Sequence, residues 1–141
     1  MNSSEAGFEL HPQLAADCEK IVDLPLCRAL LLNDSRYPWW VLVPRRPDVR
    51  EIYQLSRPDQ TLLWQEISDC SELLMNHHAG FKLNVAALGN RVPQLHIHLV
   101  VRQPSDEAWP APVWGVGKVV LYPAKKIPAV IETYRNLIPT A

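Results

Sequence analysis

His96 and His98, separated only by Ile97, are the side chains in this sequence best suited to chemistry. Neutral imidazole is a good nucleophile near neutral pH and can attack phosphorus, giving a phosphoramidate that water later opens. For that attack one ring nitrogen must be free, so a hydrogen bond has to hold the proton on the other nitrogen. Donors must also surround the phosphoryl oxygens as negative charge grows on them. The stretch Val92-Pro93-Gln94-Leu95-His96-Ile97-His98-Leu99-Val100-Val101-Arg102 reads as a strand. Successive side chains on a strand alternate between faces, which puts Gln94, His96 and His98 in one polar row and Leu95, Ile97 and Leu99 in one apolar row. His96 is then the central nucleophile, with His98 and the Gln94 amide on either side as donors to the phosphoryl oxygens. The expected catalytic set is His96, His98 and Gln94.

Histidines two apart on a strand also suit a transition metal, which would need a third ligand. His11, His77 and His78 do not stand at a telling distance from the pair, so neither a metal nor another cofactor is expected. In the last turn of a helix, His77 and His78 favour the negative end of its dipole.

Other elements must hold this row in place. The segment from His11 to Lys20 predicts a short helix with Pro12 at a first helical position. The apolar run within Ile21 to Asn33 predicts a strand, and the turn residues Asn33 to Pro38 lead into a second strand over Trp39 to Val43. A short helix is expected over Pro47 to Leu55, with Asp48 as N-cap and Glu51 three residues on. From Asp59 to Gly80 apolar residues recur every three or four positions, the pattern of one long amphipathic helix that Gly80 would end. Phe81 to Leu88 predicts a strand with Lys82 and Asn84 on one face, and Gly89 to Pro93 turns the chain into the histidine row. Asn84 then lies beside the histidines if the register of this hairpin agrees. After Arg102 the chain is loop-like, with an apolar flap through Trp109 to Gly115, and it ends in a helix that Pro128 pushes toward the later part of Tyr122 to Ile138.

A chain of 141 residues with 48% apolar content fits one domain with its own core. The expected division is a core over about residues 8–102 and a flap with a terminal helix over 103–141, all within one domain of 1–141. Fourteen Lys and Arg against fifteen Asp and Glu leave no basic field for a nucleic-acid polymer, while a small phosphorylated ligand needs only local donors. Cys18, Cys27 and Cys70 are odd in number and far apart, which indicates neither a disulfide framework nor a thiolate zinc site. With no apolar window of membrane-span length and no signal-peptide pattern, a soluble cytoplasmic protein is expected.

Gln94-Leu95-His96-Ile97-His98-Leu99-Val100-Val101 resembles the motif of the histidine-triad (HIT) superfamily, three histidines alternating with apolar residues before a final apolar pair. The similarity extends through Leu31-Leu32-Asn33, Trp40-Val41-Leu42-Val43-Pro44, the long helix and Phe81-Lys82-Leu83-Asn84. The tail Ala108-Trp109-Pro110-Ala111-Pro112-Val113-Trp114-Gly115 resembles a bacterial subgroup that also has glutamine at the first motif position. The resemblance implies an α+β fold with a five-stranded antiparallel sheet and packed helices, commonly as a homodimer. It implies hydrolysis or transfer at the α-phosphate of a small nucleotide conjugate through a nucleotidyl-histidine at His96, without a metal. It places Asn33, or Asp34 beside it, near the ribose hydroxyls and Asn84 at the phosphate. Asn33, Asn84, Asn90 and Arg102 are the expected nucleotide-binding set, Arg102 being suited equally to phosphate or to a surface salt bridge. In this chain Gln94 stands where the motif has its first histidine, and Trp39 where many members have a further one. Glutamine cannot carry a proton. Binding should therefore survive better than turnover, and the alternative is a nucleotide-binding protein with weak or no catalysis, ahead of a His-ligated metalloprotein.

Overall fold

Short apolar runs punctuated by proline and turn residues pair into a five-stranded antiparallel sheet of order β1-β2-β3-β5-β4 in the computed structural model, which describes residues 4–139. The ends of the expected 1–141 domain, residues 1–3 and 140–141, lie outside the described residues. The expected α+β architecture is the one observed. In chain order, α1 (Pro12–Asp17) leads into β1 (Cys18–Asp23), β2 (Cys27–Leu32), β3 (Trp39–Pro44), α2 (Arg57–His78), β4 (Lys82–Ala86), β5 (Ile97–Arg102) and α3 (Ile127–Leu137).

Several boundaries differ from those expected, each for a local reason. The predicted helix over His11 to Lys20 stops at Asp17, and what reads as one strand over Ile21 to Asn33 is a hairpin, β1 and β2, closed around Pro25 by the bond from Leu24 N–H to Cys27 O. The predicted helix over Pro47 to Leu55 shrinks to one 3-10 turn, Ile52–Gln54. Asp48 has a φ of 57°, which interrupts a right-handed helix, and the Gln54 side chain accepts from the N–H groups of Arg50 and Glu51. At the end of α2 it is Ala79, not Gly80, that takes the left-handed conformation. Gly80 serves close approach instead, since a Cβ there would collide with Met75 and Val101.

The histidine segment differs most. β5 begins at Ile97, so Gln94 and His96 precede the strand. Pro93 has no N–H to give a ladder, and the Leu95 N–H donates to Val49 O at 2.9 Å, away from the sheet.

Both faces of the sheet are covered, which is why β3 reads as a continuous apolar run and why β3 and β5 are buried at every position, His98 and Arg102 included. One face packs Ile97, Leu99 and Val101 against Leu63, Ile67 and Leu74 of α2 and against Ile131 and Tyr134 of α3. The other packs Trp39, Val41 and Val100 under Leu14 of α1 and under Ala108 and Val113 of the segment after β5. That segment, residues 103–122, crosses the second face as an irregular strap. Polar ties hold it there. Arg102 pairs through Nε and Nη2 with Asp106 at 2.8 and 2.9 Å and gives Nη2–H to Ala111 O at 2.9 Å. Arg36 reaches Glu107 and Val116 O, Ser35 donates to Val120 O, and Asn33 Oδ1 accepts from Tyr122 N–H at 2.9 Å.

The Arg102 and Asp106 side chains are 2% and 8% exposed. Removing one member of such a pair strands the other charge in a dry place. Asp106→Ala also deprives the N–H groups of Gln103 and Trp109 of their acceptor. It should cost about 3 kcal/mol, read as a fall in the urea midpoint at unchanged slope. A loss below about 0.5 kcal/mol would mean that the pair behaves as a solvated surface bridge.

Candidate functional site

His98 lies in β5, and His96 lies just ahead of it with its ring centroid 5.0 Å from that of His98. Both are buried, at 7% and 8% exposure. The sheet register brings Trp39 to them. Val41 faces His98 and Trp39 faces Val100 across the β3–β5 pair, which makes Trp39 the diagonal neighbour of His98 on the same face.

Each imidazole has one nitrogen fixed by an unambiguous partner. His96 Nδ1 lies 2.7 Å from Gln94 O. A carbonyl oxygen only accepts, so the proton sits on Nδ1 and the lone pair of Nε2 is free. For His98 the assignment is reversed, because Trp39 Nε1–H, which can only donate, points at His98 Nδ1 from 2.9 Å. His98 therefore carries its proton on Nε2. The pair presents one bare nitrogen and one N–H, a nucleophile and a donor.

Burial lowers the His98 pKa from 6.5 to about 4, with the neighbouring His96 adding to the effect. The Trp39 N–H works in the same direction, since a second proton on Nδ1 would face another donor. Trp114 of the strap closes over this corner, its ring 5.2 Å from His98 and 5.7 Å from Trp39. A cleft of about 20 Å³ opens beside His96, lined by Arg50, Glu51 and Gly89 among others.

The other expected residues fall in different settings. Asn84 sits opposite Val100 on β4 and Ala86 opposite His98, so the hairpin register does put Asn84 on the histidine face. Its Oδ1 accepts from Arg102 Nη1 at 2.7 Å. Arg102 shares that face, yet its guanidinium is neither at the surface nor free for a ligand. It is packed between Tyr37 and Trp109 and engaged with Asp106, Asn84 and Ala111. Asn33 ties down the strap at Tyr122, and Asp34 is buried in an ion pair with Arg36, so each already has a structural partner. Asn90 is exposed in the turn ahead of the histidines.

Gln94 lines the cleft beside His96, but its amide is engaged elsewhere. Its side chain accepts from His11 N–H at 2.9 Å and donates to Glu9 O at 2.9 Å, pinning the N-terminal segment. What Gln94 gives the histidines is its main-chain carbonyl. His78 is held by Tyr134 of α3 at 2.9 Å. Among the described residues no group of three or more His, Cys, Asp or Glu is placed to hold a metal ion, and no helix is long and apolar enough to cross a membrane.

Sequence reasoning did not assign a role to Trp39, Trp114 or Arg50. Trp39 was visible as a departure from a motif, but its use depends on the β3–β5 register. Trp114 and Arg50 reach the site from segments with no regular structure, where periodicity gives no signal.

Residues 13–105 match the family model of the HIT domain. The chain belongs to the histidine triad (HIT) family. A histidine triad protein from Bradyrhizobium japonicum is 45% identical, with a TM-score of 0.89 over 93% of this chain and 98% of that one. A histidine triad protein from Marinobacter aquaeolei VT8 is 47% identical, with a TM-score of 0.89 over 92% of this chain and 95% of that one. A third, from Sinorhizobium meliloti 1021, is 36% identical at a TM-score of 0.91, covering 96% of this chain and all (100%) of that one. No curated protein sequence gave a significant match. HIT membership supports nucleotide binding and hydrolase or transferase chemistry in general terms.

As pH falls below about 6.5, His98 takes up a proton in the unfolded chain while the folded protein keeps it neutral down to about 4. The stability held above that window, about 3 kcal/mol for this group, is therefore lost as pH drops from 7 to 4. Trp39→Phe keeps a ring but removes the N–H. In that variant His98 should titrate at higher pH and share its proton between both nitrogens, as followed by ¹⁵N NMR of the imidazole. A His98 that still titrates near the wild-type value with its proton confined to Nε2 would show that Trp39 does not set its state.

Proposed function

We propose that this HIT protein cleaves a small nucleotide conjugate at its α-phosphate in two steps through His96. The observation that carries this reading is the 2.7 Å bond from His96 Nδ1–H to Gln94 O, which leaves Nε2 free. In the first step the Nε2 lone pair attacks phosphorus, the bond from phosphorus to the leaving group breaks, and its electron pair departs with that group. In the second, water attacks the phosphorus, the P–N bond breaks with its electrons returning to Nε2, and the water's proton passes to solvent. The sum is conjugate plus water giving nucleoside monophosphate and the protonated leaving group. His98 Nε2–H supports the phosphoryl oxygens as charge grows on them. Arg50 adds positive charge beside the His96 cleft.

His98 is a poor proton source in this arrangement. Giving up Nε2–H while Nδ1 faces the Trp39 N–H would leave an imidazolate, and the glutamine at the first motif position cannot carry a proton. The proton comes from solvent instead: a nucleoside polyphosphate departs as an anion and is protonated afterwards, whereas the nitrogen of a phosphoramidate is protonated before its bond to phosphorus breaks, so conjugates of the first kind should react best. Gln94 acts as a positioning residue through its carbonyl. Asn84 and Asn90 remain in the proposed nucleotide-binding set, while Asn33 and Arg102 contribute by fixing the strap that closes the site. Dinucleoside polyphosphates and nucleoside phosphoramidates are the substrate classes of this reading, with no nucleic-acid polymer, membrane, metal or other cofactor involved. It also includes a cytoplasmic location and a homodimer, for which exposed Trp64 on α2 and Tyr53 ahead of it offer an apolar surface. The second reading, nucleotide binding with weak or no catalysis, is favoured by the absence of a proton carrier at position 94.

Steady-state hydrolysis of diadenosine polyphosphate and of adenosine 5′-phosphoramidate, with adenosine monophosphate binding measured in parallel, separates these readings. His96→Ala should lower kcat by about a thousandfold or more while changing nucleotide affinity by less than about tenfold. Turnover that persists in the variant overturns the covalent reading, and wild-type binding without turnover supports the second one.

A further inference from the structure

We propose that Arg50 reads the charge of the leaving group and selects conjugates in which a further phosphate follows the α-phosphate. The proposal rests on the reaction proposed above. Six of the nine arginines in the sequence are engaged, five with carboxylates and Arg135 with Ile21 O. The other three, Arg50, Arg57 and Arg91, are exposed, and their side chains make no hydrogen bond or ion pair among the described residues. Of these three only Arg50 lines the cleft that His96 lines.

The main chain fixes where this guanidinium stands. Asp48 turns the chain with a φ of 57°, and Val49, which is buried, accepts from the Leu95 N–H at 2.9 Å. The N–H groups of Arg50 and Glu51 both donate to Gln54 Oε1, at 2.9 and 3.0 Å. Arg50 is thus tied through its neighbour to the residue before His96, while its side chain stays free. Glu51 supplies the one carboxylate of the lining. It forms a capping box with Gln54 and no ion pair among the described residues.

The direction of the reaction assigns the role. His96 is 7% exposed, so the cleft leads from its ring outward past Arg50. In an in-line displacement the leaving atom lies opposite the attacking nitrogen, which sends the leaving group toward that rim. The cleft, about 20 Å³, cannot enclose a nucleotide, so the departing part is met at the rim. Guanidinium N–H groups pair with two phosphate oxygens at once and keep their charge at any working pH. A phosphate next to the scissile bond gains negative charge as that bond breaks, so its pairing with Arg50 strengthens in the transition state. The amine of a phosphoramidate brings no anionic oxygen to the rim. Arg50 thus favours the conjugates that also need no acid from His98.

The test compares diadenosine tetraphosphate with adenosine 5′-(4-nitrophenyl phosphate), which present the same adenylyl group and differ in the charge of what leaves. Both are assayed with the wild type, Arg50→Ala, Arg50→Lys and Arg57→Ala. Intrinsic reactivity cancels when the ratio of kcat/KM for the two substrates is compared between proteins. That ratio should fall about tenfold in Arg50→Ala and recover in part in Arg50→Lys, while Arg57→Ala leaves it at the wild-type value. Inorganic tripolyphosphate, titrated into the ¹⁵N-labelled proteins, should bind the wild type about tenfold more tightly than Arg50→Ala. A ratio unmoved by Arg50→Ala, or one that falls as far in Arg57→Ala, overturns the proposal. If the wild type cleaves neither substrate, the reaction reading fails. The titration then decides for Arg50 alone, and equal tripolyphosphate affinity in the wild type and Arg50→Ala overturns its assignment.

Discussion

The hydrogen bond from His96 Nδ1–H to the Gln94 carbonyl is the constraint on which the rest of the site depends. It exists because the chain is not yet a strand at residues 94–96. A carbonyl in the β5 ladder would face along the sheet and be committed to a neighbouring strand. Pro93, which cannot donate, and the Leu95 N–H, which bonds to Val49, hold this stretch out of the ladder and free the carbonyl to turn back on the ring two residues on. The Gln94 side chain, bonded to the backbone at residues 9 and 11, fixes the same stretch from the other side. The tautomer of His96 is thus set by main-chain geometry at a strand entrance, and the side chain at position 94 supports it from a distance.

Opposite tautomers of two adjacent histidines follow from two partners of opposite character, a carbonyl for His96 and an indole N–H for His98. Dryness makes this arrangement firm. The strap lays Trp114 over His98 and Trp39, and in a medium of low dielectric a hydrogen bond is stronger and an extra charge costlier. The strap stays in place through buried charge, Arg102 with Asp106 at one end and Arg36 with Asp34 and Glu107 at the other. Arg102, which the sequence leaves open to phosphate, thus joins Arg36 in holding a lid of tryptophan and proline over the histidine pair.

Much of the architecture was legible because apolar periodicity and proline punctuation report directly on strands and on α2. The hairpin register that places Asn84 on the histidine face was the natural one for these two strands. β1 is hidden in the sequence because its residues alternate only weakly and a single proline, Pro25, marks the hinge of the hairpin. The 3-10 turn at Ile52 was hidden by a positive φ at Asp48, which no pattern of residue types announces. At the site, the identity of the two histidines came from spacing, whereas the roles of Gln94, Asn33 and Arg102 turned on three-dimensional partners. Arg102 is decided by Asp106 and Asn33 by the backbone at Tyr122, and the latter tie spans 89 positions of sequence.

The central claim is that His96 Nε2 takes the nucleotidyl group, and intact mass spectrometry after a brief incubation with diadenosine polyphosphate tests it most directly. The quench is alkaline, because phosphorus–nitrogen bonds to histidine are labile in acid. The account predicts a single added adenosine monophosphate on the wild-type chain and none on His96→Ala. An adduct that persists in His96→Ala, or wild-type turnover with no trapped adduct at any quench time, would contradict it.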